Sequence, residues 1–259
     1  MLGAIAGDVI GSYYEHFPTK SRKFYLFRDE SEFTDDTVLT CAVAEWLLTG
    51  RDLVKLLQGY CWRYPEAGYG AAFLTWVRTG GREPYGSWGN GSAMRVSPVG
   101  WVANHLDEAI ELATRSASVT HNHPDGIRGA VAVAGSILLA RQRATRDDIL
   151  AFVTGHCGYE LTHTLDEIRD HYSFDVSCSG SVPESLLAFL ESVDFESAIR
   201  NAVSLGGDAD TMACISGAIA EAFYGGVPEE IELETWSRLD PDIRQVVETF
   251  RERFVRPIR

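Results

Sequence analysis

Two short acidic segments carry residue types that suit a hard divalent cation. Residues 33–37 read FTDDT and residues 206–211 read GGDADT, and each leads into an apolar run with helical spacing. Each segment offers two carboxylates and at least one hydroxyl within a few positions. Mg²⁺ prefers oxygen ligands in octahedral geometry. Four carboxylates from two helix starts, together with threonine hydroxyls, are enough to hold two such ions.

Helix capping is the alternative explanation for both segments. Asp and Thr are good N-caps and suit the first turn of a helix. The partial positive charge of a helix N-terminus also opposes a cation, so concentrated carboxylates are needed to bind one there. A cap needs only one side chain, whereas GGDADT supplies two carboxylates and a threonine. The repetition of the pattern favours a metal site, and capping stays open as the other interpretation.

A third acidic motif lies near the start of the chain. The sequence GDVIGSYYE at 7–15 places Asp8, Gly11, Ser12 and Glu15 near one face of a helix. Acidic groups that face a metal site can orient water or exchange protons with it. A packing helix with glycines and a polar edge is the alternative.

A glycine-rich loop at 88–95, WGNGSAMR, offers backbone amides together with the Asn90 amide and the Ser92 hydroxyl. This composition suits an anion or a diphosphate at a helix N-terminus. The loop is not a Walker motif, and no strand precedes it as a dinucleotide fingerprint requires. A turn followed by an N-cap explains the same residues.

Two histidines follow further along, in THNHPD at 120–125. Their spacing allows zinc or a phosphate to bind, but no third soft ligand lies nearby in the sequence. The alternative is an ordinary loop with a helix cap at Asp125.

Helical periodicity dominates the elements that must position these motifs. Apolar residues recur every three or four positions in 37–48, 125–143 and 210–224. The best strand candidate is Lys23–Phe27, and it is short. With no linker and no tandem repeat, the sequence predicts an all-α protein with a single domain over 1–259. Further helices are expected at 52–63, 67–79, 91–103, 106–118, 145–156, 183–192, 194–204 and 240–254.

Composition narrows the classes of partner. The formal net charge of −14 argues against nucleic acid, which is bound by neutralising phosphates with Lys and Arg. Five dispersed cysteines are typical of reduced core thiols in a cytoplasmic protein. The apolar start is too short to span a membrane and has no basic flank or cleavage site. We therefore expect a cytoplasmic enzyme made without a leader, with no membrane partner.

Taken together, these motifs resemble the ADP-ribosylglycohydrolase family, which includes dinitrogenase reductase-activating glycohydrolases and the ADP-ribosylserine and ADP-ribosylarginine hydrolases. Each motif is unspecific alone, but the ordered set is highly specific and covers about the whole chain. The motifs that carry the resemblance are GDVIGSYYE at 7–15, TDDT at 34–37, GNGSAMR at 89–95, THNHP at 120–124 and GGDADT at 206–211.

The resemblance implies an all-α, mostly orthogonal helical bundle with two Mg²⁺ ions, or in some members Mn²⁺. Glu15 matches an acidic residue beside the metals, and Asp36, Glu15 and Asp210 become the catalytic candidates. The implied metal ligands are Thr34, Asp35, Asp36, Asp208, Asp210 and Thr211. The implied contacts to the diphosphate and ribose are Gly89, Asn90, Gly91, Ser92 and His121.

The expected reaction is Mg²⁺-dependent hydrolysis of the N- or O-glycosidic bond between ADP-ribose and a modified protein side chain, through an oxocarbenium-like state. The chain is shorter than many members, and 155–181 matches no family motif, which leaves the linkage (arginine, serine or another) open. The alternatives are a hydrolase of free conjugates such as O-acetyl-ADP-ribose, a non-catalytic ADP-ribose-binding or lens-crystallin-like member, and a helical metal-dependent phosphohydrolase. We expect a monomer.

Overall fold

The computed structural model describes residues 1–255, and this part of the chain forms fifteen helices and no β-strand. A single antiparallel bridge, between Gly89 and Ser177, is the only β-type pairing in it. The helices are α1 (Leu2–His16), α2 (Asp35–Thr49), α3 (Leu53–Arg63), α4 (Ala71–Arg78), α5 (Gly91–Met94), α6 (Ser97–Val102), α7 (Leu106–Ser118), α8 (Pro124–Arg141), α9 (Arg146–Gly155), α10 (Leu165–Ile168), α11 (Cys178–Leu190), α12 (Phe195–Val203), α13 (Ala209–Tyr224), α14 (Glu229–Ser237) and α15 (Pro241–Phe254).

Local sequence signals set many helix ends. The Asp52 and Asp240 side chains accept hydrogen bonds from first-turn amides of α3 and α15. Gly50 and Gly225 follow α2 and α13 with φ of 70° and 87°, the left-handed conformation that ends a helix most easily at glycine. These caps explain why the periodic segments stop where they do.

The pairing of α1 with α13 is the contact that builds the centre of the molecule. Gly3, Gly7 and Gly11 occur every fourth residue on α1 and face Gly217, Ala213 and Ala209 of α13 in turn. A Cβ at Gly7 would lie 2.1 Å from the Ala213 carbonyl oxygen, so the two backbones are nearly in contact. The register runs antiparallel, and the C-terminal end of α1 therefore lies beside the N-terminal end of α13.

The other helices pack around this pair. Helices α8, α11 and α12 contact α13, while α2 carries α3, α6 and α15 on its own faces. Almost all buried apolar side chains join one continuous core, so the helices form one compact all-α domain. Within residues 1–255, no helix is both long enough and apolar enough to cross a bilayer.

The expected helices are confirmed, with shifted ends. The 106–118 helix matches α7, whereas the predicted 91–103 helix is divided into α5 and α6, and the one expected at 183–192 begins earlier, at Cys178. Helices α10 and α14 were not anticipated.

The predicted strand Lys23–Phe27 is wrong. These residues follow an irregular path between α1 and α2. The segment forms no β ladder, and Phe24 packs against Tyr14 with 4.6 Å between the ring centroids. Side-chain packing, rather than a β ladder, explains the apolar pattern.

Candidate active site

Three carboxylates meet where the C-terminal end of α1 lies beside the N-terminal end of α13. Glu15 comes from the last turn of α1, while Asp208 and Asp210 come from the start of α13. One oxygen of each carboxylate lies within 4.8 Å of an oxygen of the others, which is close enough to share a cation. The glycine-lined contact between the helices holds these groups together.

The segment at the start of α2 is held in place by Asp8. This fully buried carboxylate accepts hydrogen bonds from the Thr34 amide at 3.0 Å, the Thr34 hydroxyl at 2.7 Å and the Thr37 amide at 3.0 Å. The Thr37 hydroxyl donates a fourth. Asp8 therefore fixes both threonines, and the two aspartates between them are turned towards the cavity.

The two acidic segments meet through Thr211 and Asp36. The Thr211 hydroxyl donates to Asp36 Oδ2 at 3.2 Å. Asp36 Oδ1 is buried and accepts no hydrogen bond from any residue in 1–255. On the other side, Asn90 donates to Asp208 Oδ2 at 2.7 Å and to the Ser181 hydroxyl at 3.1 Å.

The electrostatics of this cluster favour a bound cation. Burial and the charge of Asp210 raise the pKa of Glu15 and the pKa of Asp8 each to about 7. The same two causes raise the pKa values of Asp35, Asp36 and Asp208 well above their ordinary range. Within residues 1–255 no Lys or Arg forms an ion pair with any of these carboxylates. Clustered negative charge and the orphaned Asp36 oxygen fit an oxygen-ligated divalent metal.

A cavity of about 1020 Å³ opens over the cluster. The acidic residues line it together with Gly89, Asn90, Gly91 and His121, and Asn90 contacts Asp208 directly. Pockets of 300–1,000 Å³ are usual for small-molecule ligands. The volume therefore suits a small-molecule ligand that contacts both the carboxylates and the glycine-rich loop.

The glycine-rich loop is anchored by the segment that precedes α11. The backbone amide of Asn90 donates to the Val176 carbonyl at 2.8 Å, and the backbone amide of Cys178 donates to the Trp88 carbonyl at 3.0 Å. Phe174 and Val176 are exposed and line the same cavity. Part of 155–181, which matched no motif, therefore forms one wall of the site.

Ser92 lies differently from the other loop residues. Its side chain is fully buried, and its hydroxyl donates to the Gly126 carbonyl at 2.7 Å. It does not line the cavity, whereas Gly89, Asn90 and Gly91 do. The structure thus gives Ser92 a role in holding the loop, and only its three neighbours face a ligand.

The two acidic segments differ in how they cap their helices. Thr34 caps α2 by accepting from the Asp36 amide at 3.3 Å, while Asp208 makes no side-chain cap hydrogen bond to α13. In the histidine loop, the cap of α8 is His123 and not Asp125, because the His123 ring accepts from the Asp125 amide.

Sequence reasoning missed two roles. Asp8 was grouped with Glu15 as a candidate acid, although the structure uses it to hold the TDDT segment. Asn90 was assigned to the substrate, and it also contacts Asp208. A fully buried aspartate one position after a packing glycine was the available signal for Asp8, since such a group needs donors.

Comparison with known proteins agrees with this architecture. A sequence profile of the ADP-ribosylglycohydrolase family matches residues 1–257. The chain is 28% identical to mouse ADP-ribosylhydrolase ARH3, covering 88% of this chain and 84% of the relative. It is also 28% identical to the ADP-ribosylarginine hydrolase Tri1 of Pseudomonas putida strain GB-1, covering 92% and 74%. A solved structure, an ADP-ribosylglycohydrolase-related protein complex, superimposes with a TM-score of 0.71 at 26% identity, covering 96% and 94%.

These matches define the class of the protein as a hydrolase of glycosidic bonds with an all-α fold. The chain belongs to the ADP-ribosylglycohydrolase family.

Proposed function

We propose that the chain is a Mg²⁺-dependent hydrolase that removes ADP-ribose from modified protein side chains, cutting the N- or O-glycosidic bond at the distal ribose. The observation that carries this proposal is the cluster of carboxylates that lines one cavity together with the glycine-rich loop. The whole chain would then form one catalytic domain.

Six residues are proposed to hold two Mg²⁺ ions, with Mn²⁺ as a substitute. A bound metal would supply Lewis-acid polarisation and a fixed position for the ribose hydroxyls. The pairing of the two segments through Thr211 and Asp36 supports a shared centre. The proposed ligands are Thr34, Asp35, Asp36, Asp208, Asp210 and Thr211.

Glu15 is the proposed general base. Its side chain is 28% exposed and lines the cavity, where it can contact a bound water. Asp36 is only 1% exposed and is better placed to orient groups than to take a proton from a mobile water. In the reaction, water oxygen would bond to the anomeric carbon while its proton passes to Glu15. The bond to the side chain breaks, and Glu15 passes that proton to the leaving atom, so that one water is consumed and no net proton is released.

The glycine-rich loop is proposed to hold the diphosphate. The Gly91 backbone amide and the ring of His121 are the proposed donors, since the Gly89 and Asn90 amides already donate to Ser87 Oγ and the Val176 carbonyl. Glycine at these positions lets a ligand approach the backbone closely, because a Cβ at Gly91 would already lie 3.1 Å from the His121 ring.

Arginine is the linkage that the outer wall of the cavity favours. Glu30, Glu32 and Glu66 line it without an ion-pair partner in residues 1–255. The two cations on the same wall are already engaged, Arg63 with Asp242 and Arg238 with Glu234. A net acidic wall attracts a guanidinium group more than a neutral serine.

A reducing compartment is proposed for the protein, since all five cysteines are buried thiols without disulfides. This supports the cytoplasm as its location. A monomer is sufficient for the proposed chemistry, because every candidate group comes from one chain.

The test is release of free ADP-ribose from arginine- and serine-linked proteins, with Mg²⁺, with EDTA, and with Asp210→Asn. We expect Mg²⁺-dependent release, faster from arginine, and a loss on the order of 10³-fold in the variant without loss of fold. Asp194→Asn is the matched control, because Asp194 is an exposed cap of the distant α12. Normal turnover by Asp210→Asn would exclude the metal-ligand assignment.

Two other outcomes identify the alternatives. Release only from O-acetyl-ADP-ribose would make the chain a hydrolase of free conjugates. Binding of ADP-ribose without release from any substrate would make it a non-catalytic reader.

A further inference from the structure

Arg95 is a buried cation without a carboxylate partner. It follows α5, is fully buried, and forms no ion pair within residues 1–255. Its Nη2 donates to the Ser116 carbonyl at 2.7 Å and to the Thr120 hydroxyl at 2.8 Å. Burying an unpaired guanidinium is unfavourable, so its position calls for an explanation beyond packing.

The Thr120 hydroxyl connects Arg95 to His121. Thr120 Oγ1 lies 2.7 Å from His121 Nδ1, and both side chains are buried. Arg95 can only donate, so Thr120 Oγ1 accepts from it. The hydroxyl proton then needs an acceptor, and His121 Nδ1 is the one within reach in residues 1–255. This hydrogen-bond arrangement requires a bare Nδ1 and places the ring proton on Nε2.

His121 Nε2 is directed at the glycine-rich loop. The hypothetical Cβ positions of Gly91 and Gly89 lie 3.1 Å and 3.8 Å from it, and His121 lines the cavity. Nε2 donates to no group within residues 1–255. Burial and the Arg95 cation also hold the pKa of His121 well below its ordinary value, which keeps the ring neutral.

We propose that Arg95 and Thr120 are positioning residues that fix His121 as the Nε2–H tautomer, so that it presents one permanent donor to an acceptor oxygen of the ligand beside Gly91. The ligand part of this proposal rests on the proposed function, and the tautomer part does not. We call the hydrogen-bonded chain Arg95–Thr120–His121 the relay. It makes the Nε2–H donor independent of pH near neutrality, because a second proton on Nδ1 would be repelled by both the Thr120 hydroxyl hydrogen and the Arg95 charge.

The first measurement is long-range ¹H–¹⁵N NMR of histidine-labelled protein without ligand, which distinguishes protonated from bare ring nitrogens. We expect a bare Nδ1 for His121 in the wild type and in Thr120→Ser, which keeps the hydroxyl. Thr120→Val removes the hydroxyl with little change of volume, and Arg95→Gln removes the cation. Both should show a population with the proton on Nδ1.

The second measurement is the Kd of ADP-ribose by calorimetry, with Mg²⁺. We expect about tenfold weaker binding for Thr120→Val, the equivalent of one hydrogen bond to a charged group, and wild-type binding for Thr120→Ser. Thr235→Val is the matched control, since Thr235 is fully buried, does not line the cavity, and its hydroxyl donates to the Ile231 carbonyl. It should bind ADP-ribose normally.

A protonated Nδ1 in the ligand-free wild type would overturn the relay, whether or not the variants fold. Equal affinities for Thr120→Val and Thr235→Val would overturn its role in binding. A bare Nδ1 in a wild type that binds no ADP-ribose would leave the relay standing and exclude the proposed ligand instead.

Discussion

The two acidic segments, Thr34–Thr37 and Asp208–Thr211, have similar sequences but are held by different means. In the first, both threonines donate to Asp8 and serve the segment's own conformation. In the second, Thr211 donates across the site to Asp36, and Asp208 is held from outside by Asn90. The first segment is therefore held from the core side by the Asp8 carboxylate. The second is held from the cavity side by the Asn90 side-chain amide.

This difference shows that similar motifs can contribute unequally to one centre. Asp8 accepts four hydrogen bonds inside the core, whereas Asn90 supplies a single one to the second segment at the edge of the cavity. Removing the Asp8 carboxylate would leave several buried donors without an acceptor. We expect this to cost more free energy than the loss of one hydrogen bond from Asn90. Four predictions sharpen the comparison.

The largest effect should come from Gly7→Ala, which forces apart the helices that bring both segments together. A Cβ there would lie 2.1 Å from the Ala213 carbonyl oxygen, and the free energy of unfolding should fall by about 3 kcal/mol. Gly59→Ala is the control, because nothing lies within 4 Å of a Cβ on this exposed helical residue. It should stabilise the protein by about 0.5–1 kcal/mol. Equal shifts in urea denaturation would contradict the close α1–α13 contact.

Asp8→Asn should come next, because the amide of asparagine brings a donor to a place where four donors already converge. We expect Mg²⁺ affinity to fall by about 10- to 100-fold, as is usual when the support of a metal ligand is removed. Isothermal calorimetry of the purified variant measures this. An unchanged affinity would mean that Asp8 stabilises the fold without shaping the centre.

Asn90→Ala should weaken Mg²⁺ binding less, by about tenfold, because it removes one hydrogen bond from Asp208. Asn201→Ala is the matched control: Asn201 is also buried, and its amide donates to the Ala188 carbonyl, away from the site. If Asn90→Ala lowers the Mg²⁺ affinity more than Asp8→Asn does, then Asn90 supports the metal site more strongly than Asp8, contrary to this prediction.

The fourth prediction concerns pH. The pKa values of Asp8 and Glu15, each raised to about 7, mean that the folded protein retains protons which the unfolded chain has released. Metal-free protein should therefore lose stability as pH rises from roughly 4 to 7, and stay at the lower level above that. Mg²⁺ replaces those protons, so it should raise Tm more at pH 8 than at pH 5.5. Equal shifts at both pH values would contradict proton competition at the cluster.

The sequence predicted the helices well because their signals are local. Spacing, caps such as Asp240, and stops such as Gly225 act within a few residues. The strand at 23–27 failed because aromatic residues suit a strand and a packed loop equally. The motif residues are gathered around one cavity, whereas the support by Asp8, the turn of Ser92 into the core, and the wall formed by Phe174 depend on contacts between distant segments. No local pattern encodes such contacts.

The antiparallel pairing of α1 with α13 also has a consequence for the time at which the centre forms. Thr211 and Asp36 are 175 positions apart in the chain, so no fragment that lacks α13 can contain the complete cluster. Contacts between such distant positions form late, because loop closure must precede them. Uptake of Mg²⁺ during refolding should therefore follow the last cooperative step. The rate of Mg²⁺ uptake would then report the rate at which the native fold is completed.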